Sequence, residues 1–404
     1  MLCATTSSTA ETNDIKLGHL THHTGDYAGF GTFFDGVTDF TLDMINQDPP
    51  LGRRVTAIHQ DTGTIGEWRA IKRLLDREKV DIVLNVSHAY ESYRTKLLKR
   101  ISYLKKPILP SVHGGSVDAK YGGNALEPLF RGSPMDTAQS AAAMLHIKES
   151  GKQSVVLVSN DLEGHLMQMQ AAEIFAERLG LTVITSMVIQ PDWTNYSSVV
   201  KKIAATETDA VVIFSPPGNG GIFVRNAAEM GHSWFIIGTS EWQEKDFIEQ
   251  ATLSAVRKHE SVTLSAHAHD DGPAWNYYKN AAEASEQIGV IGDVANSYAM
   301  QYYDLLVTTA LAIEKANSTD AEKWSNAMFE VTGGSGQIVH SYAQGIAALR
   351  TGKDINYDGV TGSMEFTSTG VVTGLFGIFE WIDMNNIKRV SLSEGDKVAE
   401  LDQY

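Results

Sequence analysis

The chain has 404 residues, 43% hydrophobic and 20% charged, a balance that suits globular domains rather than a disordered or fibrous chain. Its 49 acidic and 33 basic side chains leave a net charge of −16, and no basic cluster is dense enough to form a nucleic-acid surface. No run of about 18 apolar residues occurs, which excludes a membrane-spanning helix, and a single cysteine, Cys3, excludes an intrachain disulfide.

At roughly 100–200 residues per domain, two domains are expected. Residues 1–13, MLCATTSSTAETN, are small and polar and read as a disordered tether. They lack the apolar core of about 7–15 residues that marks a signal peptide. Cys3 ahead of a Ser/Thr-rich stretch has the form left when a bacterial lipoprotein signal is cut away; the plainer reading is an incidental cysteine. Ile15, Leu17 and His19 alternate as a strand does. A polar, glycine-broken loop runs from Thr21 to Gly31. Phe33, Phe34, Val37, Phe40, Met44 and Ile45 then recur at three- and four-residue spacing, the stripe of an amphipathic helix. In open parallel sheets ligands sit at the carboxyl ends of strands, and a helix N-terminus there offers free N–H groups to an anion.

The unit repeats. Strands are expected over 53–59, 80–86 and 107–111, with helices over 68–78 and from Tyr90 to Leu104, and a long glycine-containing loop over 112–126. A second series follows. It has helices over 136–149, 166–179, 196–205 and 221–230, and strands over 154–159, 182–189, 210–214 and 234–238. A strand at 262–266 leads to helices over 273–287, 293–316, 321–329 and 341–349. Short antiparallel β structure over 364–366 and 375–382 closes the chain. Such alternation predicts an α/β fold of doubly wound, mainly parallel sheets with helices on both faces.

Several segments, in order from about Ile15 to Ile387, resemble one family, the type I periplasmic binding proteins of the leucine/isoleucine/valine-binding class. These are Leu20-Thr21-His22-His23-Thr24-Gly25-Asp26-Tyr27-Ala28-Gly29-Phe30-Gly31, then Val80-Asp81-Ile82-Val83 with Val86-Ser87-His88, and Phe130-Arg131 with Asp136. Tyr302-Tyr303-Asp304 with Ala310-Leu311 and Lys315-Ala316 resembles the late helix. Tyr357 to Gly362, through Phe366, Gly370, Thr373-Gly374 and Phe379-Glu380-Trp381, resembles the family's C-terminal signature. The resemblance implies two α/β lobes joined by three crossovers, near Gly132–Asp136, Ser265–Ala268 and Gly370–Gly374. The lobes would be 14–133 with 267–370, and 134–266 with 371–404, closing on a ligand by hinge motion. It implies an extracytoplasmic solute-binding protein of an ABC importer that meets permease subunits, periplasmic or at the cell surface, with membrane contact only through a lipid on Cys3.

The resemblance also places the binding residues. Those matching Ser87 and the loop Ser111 to His113 hold the carboxylate and ammonium of amino-acid ligands; a hydroxyl and free N–H groups suit a carboxylate. As an alternative, Ser87 caps the helix that follows. The chain departs from the common pattern at His22-His23, His88, His113, Glu163 and Ser240-Glu241-Trp242, so a plain leucine pocket is not expected. Tyr27 and Trp242 are read as rings that close over or stack on the ligand, with core packing or surface exposure as the alternative. The expected ligand-binding set is therefore Tyr27, Ser87, His88, Ser111, His113, Glu163, Glu241 and Trp242. The expected ligand is a small polar or carboxylated organic compound such as an amino acid, an amino-acid derivative or an aromatic acid.

His22, His23, His88 and His113 invite a metal reading, but no HxxxH or HExxH spacing lies on any predicted helix, and no metal or cofactor is expected. GxGxxG at the first strand, GxxxxGK[ST] and GxSxG are all absent, so nothing points to an enzyme. A sensor or regulatory binding protein on the same lobes is the alternative.

Overall fold

The computed structural model describes residues 13–24, 28–87, 89–190, 194–393 and 395–402; Cys3, Tyr27, His88 and Trp193 lie outside them. Strand β1 (Ile15–Thr21) is buried along nearly its whole length, which marks it as a central parallel strand. It pairs in parallel with β2 (Val55–Asp61) on one side and β3 (Ile82–Leu84) on the other. Val83 N–H donates to Ile108 O, and Asn85 N–H to Pro110 O, both at 2.9 Å. These bonds carry the sheet on to β4 (Leu109–Ser111) and its parallel partner β5 (Leu129–Arg131). Helices α1 (Gly31–Ile45), α2 (Glu67–Arg73) and α3 (Tyr90–Leu104) make the crossovers.

The second sheet runs in the order β7 (Thr182–Ile189), β6 (Ser154–Asn160), β8 (Ala210–Phe214), β9 (Phe235–Gly238) and β10 (Ser261–His267), all parallel. Antiparallel β14 (Phe376–Trp381) and β15 (Ile387–Ser393) close its edge. Its helices are α4 (Asp136–Glu149), α5 (Glu163–Leu179), α6 (Ser197–Ala204), α7 (Pro217–Glu229), α8 (Lys245–Ala251), α9 (Leu253–Val256) and, at the end of the chain, α15 (Gly395–Leu401). Back beside the first sheet lie α10 (Pro273–Glu283), α11 (Ile288–Ile291), α12 (Ser297–Ala316), α13 (Ala321–Thr332) and α14 (Tyr342–Arg350). They are joined there by the small sheet β11 (Gln337–Val339), β12 (Ile355–Gly359) and β13 (Gly362–Ser363).

The buried apolar side chains form separate cores. One draws on residues 15–130 and 274–372; the other two draw on residues 138–268 and 376–401. The chain therefore passes between cores three times, and neither side is continuous in sequence.

Several expected boundaries move for local reasons. The helix expected from Gly221 starts at Pro217, because proline suits the first helical turn, where an N–H has no partner. The helix expected over 293–316 begins at Ser297, where Asn296 caps it by accepting from Tyr298 N–H. The helix expected over 68–78 loosens into a π turn at 74–78 and ends on Lys79 in the left-handed region, φ 54°.

Two buried charged side chains tie distant segments together, one at the first crossover and one inside the first lobe. The Arg131 guanidinium, wholly buried, donates to the carbonyls of Val117 (2.8 Å) and Tyr121 (2.6 Å), pinning the long loop to the first crossover. The Asp304 carboxylate, also wholly buried, accepts from Val360 N–H, Thr361 N–H, Thr361 Oγ1 and Tyr357 Oη at 2.8–2.9 Å. Asp304→Ala leaves four donors stranded in an apolar core. It is expected to cost about 3 kcal/mol or more in a urea titration, and Asp304→Asn, which keeps an acceptor, less.

Candidate functional site

Parallel strands end at a common edge, so the loops after them converge. In the first lobe three such elements bring rings together. Phe30 and Phe34, at the start of α1, stack at 5.5 Å between centroids. His113, in the loop after β4, lies 4.8 Å from Phe34. Tyr298, in the first turn of α12, stands edge-on to Phe30 and Phe34 at 6.3 and 5.9 Å. Phe34 is buried, while Phe30, His113 and Tyr298 keep part of their surface open.

Beneath them Tyr302, one turn further along α12, is wholly buried and organises the floor. Its hydroxyl lies 2.9 Å from His113 Nε2 and also bonds the Asn85 side-chain amide. Asn85 sits at φ 71° directly after β3, a left-handed position that asparagine tolerates better than most residues. Its Oδ1 accepts from Val112 N–H at 2.9 Å, tying that strand end to the His113 loop.

The second lobe offers acids. Asp136 opens α4, His165 lies in the first turn of α5, and Ser240 and Glu241 lie in a short 3-10 turn after β9. His165 Nδ1 is 2.7 Å from Asn160 Oδ1, which leaves Nε2 facing Glu241 Oε1 at 3.6 Å. Burial raises the Asp136 pKa to about 6; nearby Glu241 adds to the rise and His165 opposes it. A β-carbon at Gly115 would run into Asp136 Oδ1, so the loop after β4 passes directly over this carboxyl. Tyr298 faces these acids: burial together with Glu241, Glu244 and Asp136 pushes its phenol pKa up, and nearby Ser240 opposes the rise. An aromatic wall thus faces a carboxylate cluster. Such a site can hold a cationic or hydrogen-bond-donating group at one end and an apolar or aromatic body at the other.

The expected site residues divide. His113 lies in the wall, and Glu241 in the acid cluster. Ser87 is buried at the carboxyl end of β3, its N–H donating to Glu67 Oε1 at 2.7 Å; the capping position of α3 is Ala89, not Ser87. Ser111 is wholly buried and donates to Val86 O at 2.6 Å, so it positions the Ser87 segment from behind. Glu163 is exposed, and the residue of that turn that packs inward is His165.

Trp242 needs correcting: its indole is wholly buried, not on the cleft wall. It stacks on Phe247 at 4.5 Å, donates to Ser215 O at 3.2 Å, and fills space kept open by Gly220 and Gly238. Core packing, the alternative reading, is what the structure adopts. Of the four histidines weighed as metal ligands, His113 serves the aromatic wall, His22 Nδ1 lies 2.9 Å from Thr62 Oγ1 and His23 Nε2 lies 2.7 Å from Asp35. Tyr27 and His88 fall outside the described residues.

Sequence reasoning missed Phe30, Phe34, Tyr298, Asp136 and His165. Phe34 belongs to the helical stripe of α1 and reads as core, which it is, with the wall built on its ring. Asp136 was noticed only as part of a crossover.

Asp136 yields a pH test. Its folded pKa of about 6 lies above the 3.8 of an unstrained carboxyl, so the folded state holds the proton more tightly. Stability from this group is present at low pH and declines as pH rises from about 4 to 6. Asp136→Asn should therefore be more stable than wild type at pH 7, with the difference vanishing near pH 4, measured as urea midpoints without ligand.

The comparisons with known proteins agree with this architecture. The periplasmic binding protein family profile matches residues 14–374. No curated protein matches the chain. Among solved structures, the leucine-binding protein LivK of Thermotoga maritima is 16% identical, with 95% of this chain and 99% of that one aligned at a TM-score of 0.73. LivJ of Streptococcus pneumoniae, solved with isoleucine, is 16% identical over 94% and 98%, TM-score 0.70. A solute-binding protein from R. palustris, solved with benzoate, is 15% identical over 94% and 96%, TM-score 0.68. With the profile covering most of its length and the two-lobed α/β architecture alongside, the chain belongs to the periplasmic binding protein family.

Proposed function

We propose that this protein is the extracytoplasmic solute-binding component of an ABC importer and that its ligand is a small amine-bearing organic compound of the amino-acid type. The lobes are 14–133 with 267–370, and 134–266 with 371–404; they close on the ligand and present the closed form to permease subunits. Chemistry is not part of the role, since binding and release suffice for delivery.

One observation carries the ligand class: the rings of Phe30, Phe34, His113 and Tyr298 oppose the carboxylates of Asp136 and Glu241. An ammonium group near Glu241 and Asp136 offsets the burial and, secondarily, the Glu241 charge that raise the Asp136 pKa. The ligand body lies against the rings, and its carboxylate turns toward the Ser87 side chain and the loop after β4, the part of the site remote from the acids. The solved proteins that share this fold carry isoleucine in one case and benzoate in another, which supports a compact ligand of carboxylate type.

Thermal melting against amino acids, their deaminated analogues, amides and aromatic acids tests the reading. A ligand at 100 times its Kd adds about 2.7 kcal/mol to the folded state. The expected pattern is a shift of the melting point with an amino acid and none with the same compound lacking its amine. Glu241→Gln should weaken that ligand by at least about tenfold, about 1.4 kcal/mol. Shifts from deaminated acids alone, or full affinity in Glu241→Gln, would move the ligand away from the acid cluster.

A further inference from the structure

Away from the rings and acids of the cleft, three metal-ligating side chains of the first lobe converge. Parallel pairing sets His19 of β1 opposite His59 of β2, and α1 carries Asp35 to both. His19 Nδ1 lies 2.9 Å from His59 Nδ1; Asp35 Oδ1 lies 3.0 Å from His59 Nδ1 and 3.4 Å from His19 Nδ1. A divalent ion about 2.1 Å from each donor holds neighbouring donors roughly 3.0–3.4 Å apart, the lower figure at right angles and the upper at tetrahedral ones. All three edges of this triangle lie within or next to that range. The two imidazole rings are 5.1 Å apart at 73°, where rings sharing one ion at about the tetrahedral angle would place their centroids.

The atoms that face away from the triangle are also engaged. His19 Nε2 lies 3.2 Å from the Tyr302 hydroxyl, His59 Nε2 lies 3.1 Å from Asp39 Oδ1, and Asp35 Oδ2 lies 2.7 Å from His23 Nε2. Such outer partners orient metal-bound histidines and raise their basicity. Asp35 Oδ1, which points into the triangle, is buried without a hydrogen-bond partner. Without an ion, one ring proton can serve only one edge of the triangle, either the 2.9 Å contact between the two Nδ1 atoms or the 3.0 Å contact of His59 with Asp35; a cation satisfies all three lone pairs at once.

We propose that His19, Asp35 and His59 bind one divalent ion of the zinc class. Two imidazoles and one carboxylate are the donors that such borderline ions prefer. Three protein ligands leave a fourth position for water. His59 and Asp35 are partly exposed, at 24% and 19%, which gives the ion a way in, while His19 is wholly buried. The ion ties α1 to β1 and β2 and, through Tyr302, steadies the floor under His113.

The test uses the full chain, stripped with a chelator and dialysed against Zn²⁺ or Co²⁺ alone. The expected result is one ion per chain by elemental mass spectrometry, visible absorption bands for the Co²⁺ form, and a higher melting point with Zn²⁺. Asp35→Asn and His59→Gln, both at partly exposed positions, should each weaken the ion about a hundredfold, and Asp39→Asn about tenfold. His232→Ala, remote from the cluster, should change nothing. Because His19→Ala opens a buried site, circular dichroism of each variant separates loss of fold from loss of metal. No bound ion in the folded wild type, or equal binding in folded His59→Gln and Asp35→Asn, overturns the assignment.

Discussion

Parallel pairing is the constraint from which the site follows. Once β1 lies in parallel between β2 and β3, all three strands must end at one edge of the sheet, and each must return through a helix on a face. The start of α1, the Ser87 segment and the loop after β4 are thereby delivered to one place, although each is dictated by its own stretch of chain. The second sheet obeys the same rule with β6, β8 and β9, which bring His165, the Ser215 segment and Glu241 to its edge. A cleft between two such edges needs no further invention, only connections that let the edges face each other.

Buried charge secures the first of those connections and the interior of the first lobe. Arg131 and Asp304 are wholly enclosed, and each is matched by hydrogen-bonding groups of neighbouring backbone. Enclosed charges are tolerated only when so paired, and removing one partner costs far more than the pair contributes. Both sit where segments distant in sequence must be held in one register: Arg131 at the first crossover, and Asp304 between the long helix α12 and the turn after β12. The aromatic wall rests on the same helix, since Tyr298 lies in the first turn of α12 and Tyr302 and Asp304 in the second.

The two faces of the cleft have different electrostatic character. The first lobe contributes ring faces, and the second contributes carboxylates whose mutual repulsion is partly expressed as a raised pKa at Asp136. Groups of like charge held close together in partial burial are poised for a cation. The overall charge of −16 is not the source of this, because most acids lie at the surface and only a few converge here.

Order and type of the elements were legible in the sequence because both are local. Alternation at Ile15, Leu17 and His19, the stripe from Phe33 to Ile45, and the repeated helix–strand units report whether a residue has a buried side, and the collinear resemblance supplied the two-lobed plan. What the sequence could not report is which partner a buried side meets. Trp242, read as a cleft ring, is core because Gly220 and Gly238 leave room for it. Phe34, read as core from its stripe, is core, and the rings of Phe30, His113 and Tyr298 gather on it because helix ends lie at the sheet edge. His19 and His59 are 40 residues apart, and His19 and Tyr302 are 283 apart. No spacing rule links them; only the parallel register of β1 with β2 and the packing of α12 beneath α1 bring their polar atoms within reach. Local periodicity determined the elements, and long-range packing alone decided which side chains share a site.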